Sequence, residues 1–140
     1  MKTVLTYGTF DLFHIGHLRL LERARALGDR LIVAISSDEF NAVKGKKATV
    51  SYADRAAIVA ALRCVDAVIP EVDWSQKPKD IQKFQAAVFV MGDDWFGKFD
   101  DLRVYCDVVY LQRTPEVSTT QLRGWIVNSE TKNGMPALVR

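Results

Sequence analysis

Tyr7-Gly8-Thr9-Phe10-Asp11-Leu12-Phe13-His14-Ile15-Gly16-His17 carries both histidines of this 140-residue chain. The apolar run Val4-Leu5 precedes it and the amphipathic stretch Leu18 to Leu27 follows. The segment therefore reads as the end of a first strand, a tight turn and the opening of a helix. In an α/β sheet that junction lies at the carboxyl edge of the strands, where ligands bind. The helix N-terminus offers free N–H groups and the positive end of its dipole, which suit an anion such as phosphate. Gly16 has no Cβ and lets a ligand come close to the backbone. His14 and His17, at i and i+3, can project to one side of the helical turn. A zinc site is not expected, because a His-x-x-His pair needs further ligands and no cysteine lies nearby.

Outward from this segment, apolar runs alternate with helical patterns. Strands are expected at Val4 to Thr6, Leu31 to Ile35, Ala67 to Ile69, Val88 to Met91 and Val108 to Leu111. Leu31-Ile32-Val33-Ala34-Ile35 is apolar throughout, as a strand covered on both faces should be. Helices are expected from Gly16 to Ala26, closed by Gly28, and over the short stretch Asp38 to Ala42. Another runs from Tyr52 to Arg63, capped by Ser51, and another carries Pro78 in its first turn and reaches about Gln85. The last starts at Thr119 behind a Ser118 cap. The alternation predicts an α/β fold: a single Rossmann-like doubly wound domain over 1–128, with a five-stranded parallel sheet in the order 3-2-1-4-5 and helices on both faces. Strand one is then central and the histidines sit at the topological switch point. Residues 129–140 lack periodicity and read as a loose tail.

Bulk composition narrows the function classes. At 49% hydrophobic and 26% charged, the chain is that of a globular protein, and a net charge of +2 is too small to indicate nucleic acid as a partner. No apolar run is long enough to span a membrane, and Met1-Lys2-Thr3 leads straight into a strand without signal-peptide features. Cys64 and Cys106 are isolated, so reduced thiols in the cytoplasm are expected. A dinucleotide-binding redox protein would need Gly-x-Gly-x-x-Gly after strand one, which is missing.

Gly8-Thr9-Phe10-Asp11 followed by His14-Ile15-Gly16-His17 resembles the signature of the nucleotidyltransferase superfamily with the HxGH motif. A second block about a hundred residues on, Arg113-Thr114-Pro115-Glu116-Val117-Ser118-Thr119-Thr120, is similar to that superfamily's ISTT-type loop. Ala34 to Asn41, Val65 to Glu71 and Val88 to Trp95 further resemble those members of its cytidylyltransferase family that use glycerol 3-phosphate. The chain departs from the pattern at Pro115-Glu116-Val117, where the family loop carries a glycine; proline fixes φ and removes an N–H.

The resemblance implies transfer of CMP from CTP to sn-glycerol 3-phosphate, with CDP-glycerol and pyrophosphate as products, Mg²⁺ as the cation, and a homodimer serving teichoic acid or capsule-type polymer synthesis. Another phosphate acceptor, such as ethanolamine phosphate or a sugar phosphate, or ATP in place of CTP, is the alternative within the class. By the resemblance, His14, His17 and Arg113 are catalytic. Asp11 joins them, either orienting a histidine or holding the metal through water. Thr9, Phe10, Ile15, Gly16, Lys46, Arg63, Asp94, Thr114, Ser118, Thr119 and Thr120 join the histidines and Arg113 around the nucleotide. Lys44, Lys77 and Arg55 take the acceptor.

Several of these residues have other readings. Lys44, Lys46 and Lys47 form a basic loop after strand two, of which Lys47 is expected at the surface. Arg55 lies in the first turn of a helix, against the dipole, and calls for a compensating anion: substrate, Asp38 or Asp54. Arg63 and Asp66 are spaced to form an ion pair, whereas the family places such residues at a dimer contact near the nucleotide. Asp93 and Asp94 could bind magnesium or cap a turn. Phe10, Trp74 and Trp95 are each either pocket wall or core.

Overall fold

Five parallel strands form the sheet, each feeding a helix or turn that covers it. A computed structural model describes residues 1–113 and 119–131, side chains at 120, 121 and 128–131 excepted. The strands are β1 (Thr3–Gly8), β2 (Arg30–Ser36), β3 (Ala67–Glu71), β4 (Ala86–Gly92) and β5 (Asp107–Leu111), in the order β3-β2-β1-β4-β5. The helices are α1 (Ile15–Arg25), α2 (Asp38–Val43), α3 (Tyr52–Ala60), α4 (Gln76–Lys83) and α5 (Thr119–Thr131). The expected strand order is therefore observed.

Alternation along the strands divides the core in two. Val4, Leu31, Val33, Val88 and Val90 pack with Leu21 of α1 and Val59 of α3. Leu5, Ile32, Phe89 and Met91 pack on the other face with Ile81 of α4. Pro70 is tolerated within β3 because that strand is an edge. Boundaries differ from expectation in three places. α3 stops at Ala60, short of Arg63, in a run of turns that brings the Asp66 N–H to the Leu31 carbonyl. Two 3₁₀ turns, Asp93–Trp95 and Asp100–Val104, fill the connection from β4 to β5, too short and too polar to show a helical period. α5 runs on to Thr131, past Ser129.

Candidate active site

β1 ends at Gly8, and the chain then turns through two left-handed residues, Phe10 (φ 54°) and Leu12 (φ 49°). Neither is glycine, so the turn stores local strain of the kind found at ligand sites. It folds the Phe10 ring back over β1, where a Cβ on Gly8 would meet it at 2.7 Å, which accounts for the glycine. Phe10 is buried and meets the His17 ring edge-on at 5.5 Å between centroids. It is core and histidine support at once.

His14 is the N-cap of α1. Its Nδ1 accepts the Gly16 N–H at 3.0 Å, and the His17 Nδ1 accepts the His14 N–H at 3.2 Å. The rings stack at 3.9 Å between centroids. Burial lowers the pKa of His14, and burial together with the neighbouring His14 pushes His17 down to about 4. Both rings are thus neutral at pH 7. With each Nδ1 accepting from the backbone, the ring proton sits on Nε2, so each histidine has one N–H left for a ligand.

The histidines open into a cleft of about 330 Å³ between the ends of β1, β4 and β5, which Thr9, Asp94, Trp95, Arg113 and Thr119 also line. A second recess of about 550 Å³ shares Thr9, Phe10, His17, Asp94 and Thr119 and adds Lys46, Lys47 and Arg123. Thr9, Phe10, His14, His17, Lys46, Asp94, Arg113 and Thr119, all expected around the nucleotide, are thus brought together from separate parts of the chain, joined by Lys47 and Arg123, which were not. Arg113 pairs with Asp94 at 2.5 Å, both exposed, so its fork stands at the cleft mouth with a carboxylate on it. Gly16 lines the cleft; Ile15, exposed on the first turn of α1, lines neither cavity. Thr114 and Ser118 lie outside the described residues, as do Pro115, Glu116, Val117 and the Thr120 side chain.

Asp11 and Arg55 are held by partners within the fold, and Arg63 lies away from both cavities. Asp11 makes no hydrogen bond to a histidine among the described residues. Its buried carboxylate accepts the N–H groups of Thr49 (2.7 Å) and Val50 (2.9 Å) and pairs with Arg123 of α5. Burial opposes its charge, but those N–H groups and the guanidinium outweigh it and hold the pKa below the usual carboxylate range. With the Thr119 hydroxyl on its carbonyl at 2.9 Å, Asp11 ties the histidine turn to both the lysine loop and α5. Arg55 is no surface cation awaiting substrate. Its side chain is 1% exposed; Nε donates to the Val50 carbonyl, Nη1 to the Thr9 and Ser36 carbonyls, and Nη2 to Asp38. Of the anions open to it, Asp38 is the one it pairs with, and its donors tie β2 to the histidine turn. Arg63 is exposed, follows α3 on the approach to the start of β3, and lines neither cavity, because α3 runs away from the carboxyl edge. Nor does it pair with Asp66, whose carboxylate takes Arg25 at 3.3 Å and the Leu31 N–H at 2.8 Å.

Lys44 and Lys77 converge at the ends of β2 and β3. The Lys77 Nζ lies 2.9 Å from Glu71 Oε2, and the Lys44 Nζ lies 3.2 Å from the Ser36 hydroxyl and 4.0 Å from Glu71 Oε1. Phe40 lies under Lys44, and Tyr7 and Phe99 flank Lys77. Trp74 is 64% exposed and meets Phe40 edge-on, so it is not core. Trp95, partly exposed, leans on Phe99. Sequence reasoning assigned no role to Glu71, although a carboxylate ending an apolar strand at the carboxyl edge is a readable signal. Arg123, one of several polar residues on α5, carries no such signal.

A cytidylyltransferase-like family model matches residues 5–125. The chain belongs to that family. It is 58% identical over 123 residues to a glycerol-3-phosphate cytidylyltransferase of Bacillus spizizenii, covering 88% of this chain and 95% of that one. It is 51% identical over 132 residues to the protein of the same name from Staphylococcus aureus, covering 94% and 100%. Among solved structures, a lipopolysaccharide core biosynthesis protein from Thermoplasma volcanium superposes with a TM-score of 0.69 over 81% of this chain and 98% of its own, at 23% identity. This cytidylyltransferase-like chain therefore shares its fold with a distant protein and nearly its whole length with two near ones.

Proposed function

We propose that the chain transfers CMP from CTP to sn-glycerol 3-phosphate, releasing pyrophosphate and making CDP-glycerol for teichoic acid or capsule-type polymer synthesis. The observation that carries this reading is the 51–58% identity, across nearly the whole chain, to relatives bearing that activity in their names. The site's chemistry agrees. An acceptor phosphate oxygen attacks the α-phosphorus in line, a new P–O bond forms, and the bond to pyrophosphate breaks. A phosphate monoester is largely dianionic near neutral pH, with a second pKa of about 6, so it needs little help from a base. Two neutral imidazoles suit that chemistry: each donates an Nε2–H to charge that builds on the α-phosphate oxygens, and neither changes its charge near working pH. Thr119 and the opening of α5 offer N–H groups to the remaining phosphates. Arg113 would exchange Asp94 for a phosphate oxygen, with a fork suited to it.

Mg²⁺ completes the reading. Magnesium takes oxygen ligands and is usually held by one or two carboxylates together with substrate phosphates. Asp93 and Asp94, which line the cleft, would be those carboxylates. When bound, the ion would supply positive charge to the phosphates. A homodimer in the cytoplasm is part of the proposal. No helix among the described residues is long and apolar enough to cross a membrane, and sedimentation at micromolar concentration should give twice the 15.8 kDa chain mass. The deciding test is pyrophosphate release with CTP and Mg²⁺ against a panel of phosphate acceptors, with ATP as control. Release with CTP and glycerol 3-phosphate is expected. Release only with another acceptor or with ATP would overturn the substrate assignment, and silence from folded protein would overturn the enzyme.

A further inference from the structure

Glu71 is the last residue of β3, and its side chain is 6% exposed. Such a carboxylate is costly to bury unless it is paired, and two ammonium groups from different elements meet on it. Lys77 of α4 takes Oε2 at 2.9 Å, and Lys44, at the end of α2, faces Oε1 at 4.0 Å. The Ser36 hydroxyl bridges the two sides, 3.4 Å from Oε1 and 3.2 Å from the Lys44 Nζ. The lysine side chains are themselves only 15% and 14% exposed, over the aromatic faces of Phe40, Tyr7 and Phe99. Two cations on one anion leave a single net positive charge in an aromatic recess.

We propose that Glu71 is a positioning residue for the acceptor: it fixes the ammonium heads of Lys44 and Lys77 at one spot, where together they receive a phosphate monoester. The inference rests on the reading above, in which those lysines receive the acceptor phosphate. The surroundings explain why a counter-charge is needed. Burial lowers the pKa of Lys44, and Lys46, Lys77 and Arg55 lower it further, while Glu71 is the group that raises it. On the far side of Lys77, Asp80 of α4 is occupied by the Tyr7 hydroxyl of β1, and Asp38 is held by Arg55. Glu71 is thus the carboxylate in contact with both lysines. Each ammonium carries three N–H donors, so the lysines can take phosphate oxygens while Glu71 stays paired.

Glu71→Gln keeps the size and an acceptor oxygen but removes the charge. The measured quantity is the acceptor KM of the variant over that of the parent, across pH, with the CTP KM alongside. The ratio should be smallest near neutral pH and rise to about tenfold on the alkaline side, as the Lys44 charge is lost earlier in the variant, while the CTP KM stays within about twofold. Titration of the acceptor phosphate itself cancels in this ratio. Glu71→Asp, which restores the charge one methylene short, should recover most of the alkaline loss and leave the acceptor KM raised relative to the CTP KM, which is the readout if the Gln variant does not fold. A ratio independent of pH, or an equal rise for CTP, would overturn the proposal and leave Glu71 a merely structural residue. Should the parent not use glycerol 3-phosphate, the functional reading fails separately. NMR titration of ¹³Cε-labelled lysine in the ligand-free protein then decides: Lys44 titrating at lower pH in Glu71→Gln supports the inference, and an unchanged midpoint overturns it.

Discussion

His14 and His17 hold each other through bonds confined to one helical turn. Lys44 and Lys77 come from different helices and meet only because β3 ends in Glu71 between them. The two halves of the site share a sheet edge but not a method of construction. The histidine half is local: its caps, its tautomers and its depressed pKa values follow from a few consecutive residues packed on Phe10. The lysine half is assembled from β2, α2, β3 and α4, and its geometry depends on how those elements register. The pairing of the two histidines should therefore depend less on distant changes than the lysine recess does, although Asp11 and Arg55 anchor the turn as a whole.

The sharpest break of this comparison is His17→Ala. Loss of one donor to the α-phosphate should lower kcat by about 10²–10³ with the circular dichroism spectrum kept; undiminished turnover would remove that histidine from the mechanism. Lys77→Ala should act on the other half alone. Losing a charged hydrogen bond should raise the acceptor KM by about 10–100-fold while the CTP KM stays within about twofold, and an equal rise in both would show that the halves are not separate.

Arg55→Lys tests what joins them. Lysine cannot reproduce the fork that reaches three carbonyls and Asp38. A loss of about 2–3 kcal/mol in denaturant stability is expected, with the acceptor KM nearly unchanged. A large rise in that KM without loss of stability would return Arg55 to the acceptor site.

The smallest effect sharpens the local half. His17 is neutral in the fold down to about pH 4, whereas in the unfolded chain it takes a proton near pH 6.5. Between those values the unfolded state binds more protons, so the His17 contribution to stability falls as pH drops from about 6.5 to 4 and levels off below. Urea midpoints should fall more steeply over that window in the parent than in His17→Asn, and parallel curves would remove the predicted burial effect. For the same reason kcat should show no limb from His17 between about pH 6 and 8.

What was legible in the sequence divides along the same line. The strand order followed from alternating apolar runs and helix stops, and the cleft from a histidine-bearing turn placed at a switch point. Ser51 capping α3 and Ser37 capping α2 also answer to local chemistry. Arg55 was readable only as a cation against a dipole. That its anion is Asp38, and that its Nη1 reaches the carbonyls of both Thr9 and Ser36, needed the folded chain. The partners of Asp11 and the place of Arg63 needed the folded chain for a related reason: resemblance attaches a residue to a motif, but not to a face. The chain by itself determined the α/β topology and the place of both histidines at the opening of α1, because periodicity and helix-start signals act over a few residues at a time. Only the tertiary structure decided which charges meet, setting Asp11 on Arg123 and both lysines on Glu71, because those pairings depend on where separate elements end at one edge of the sheet.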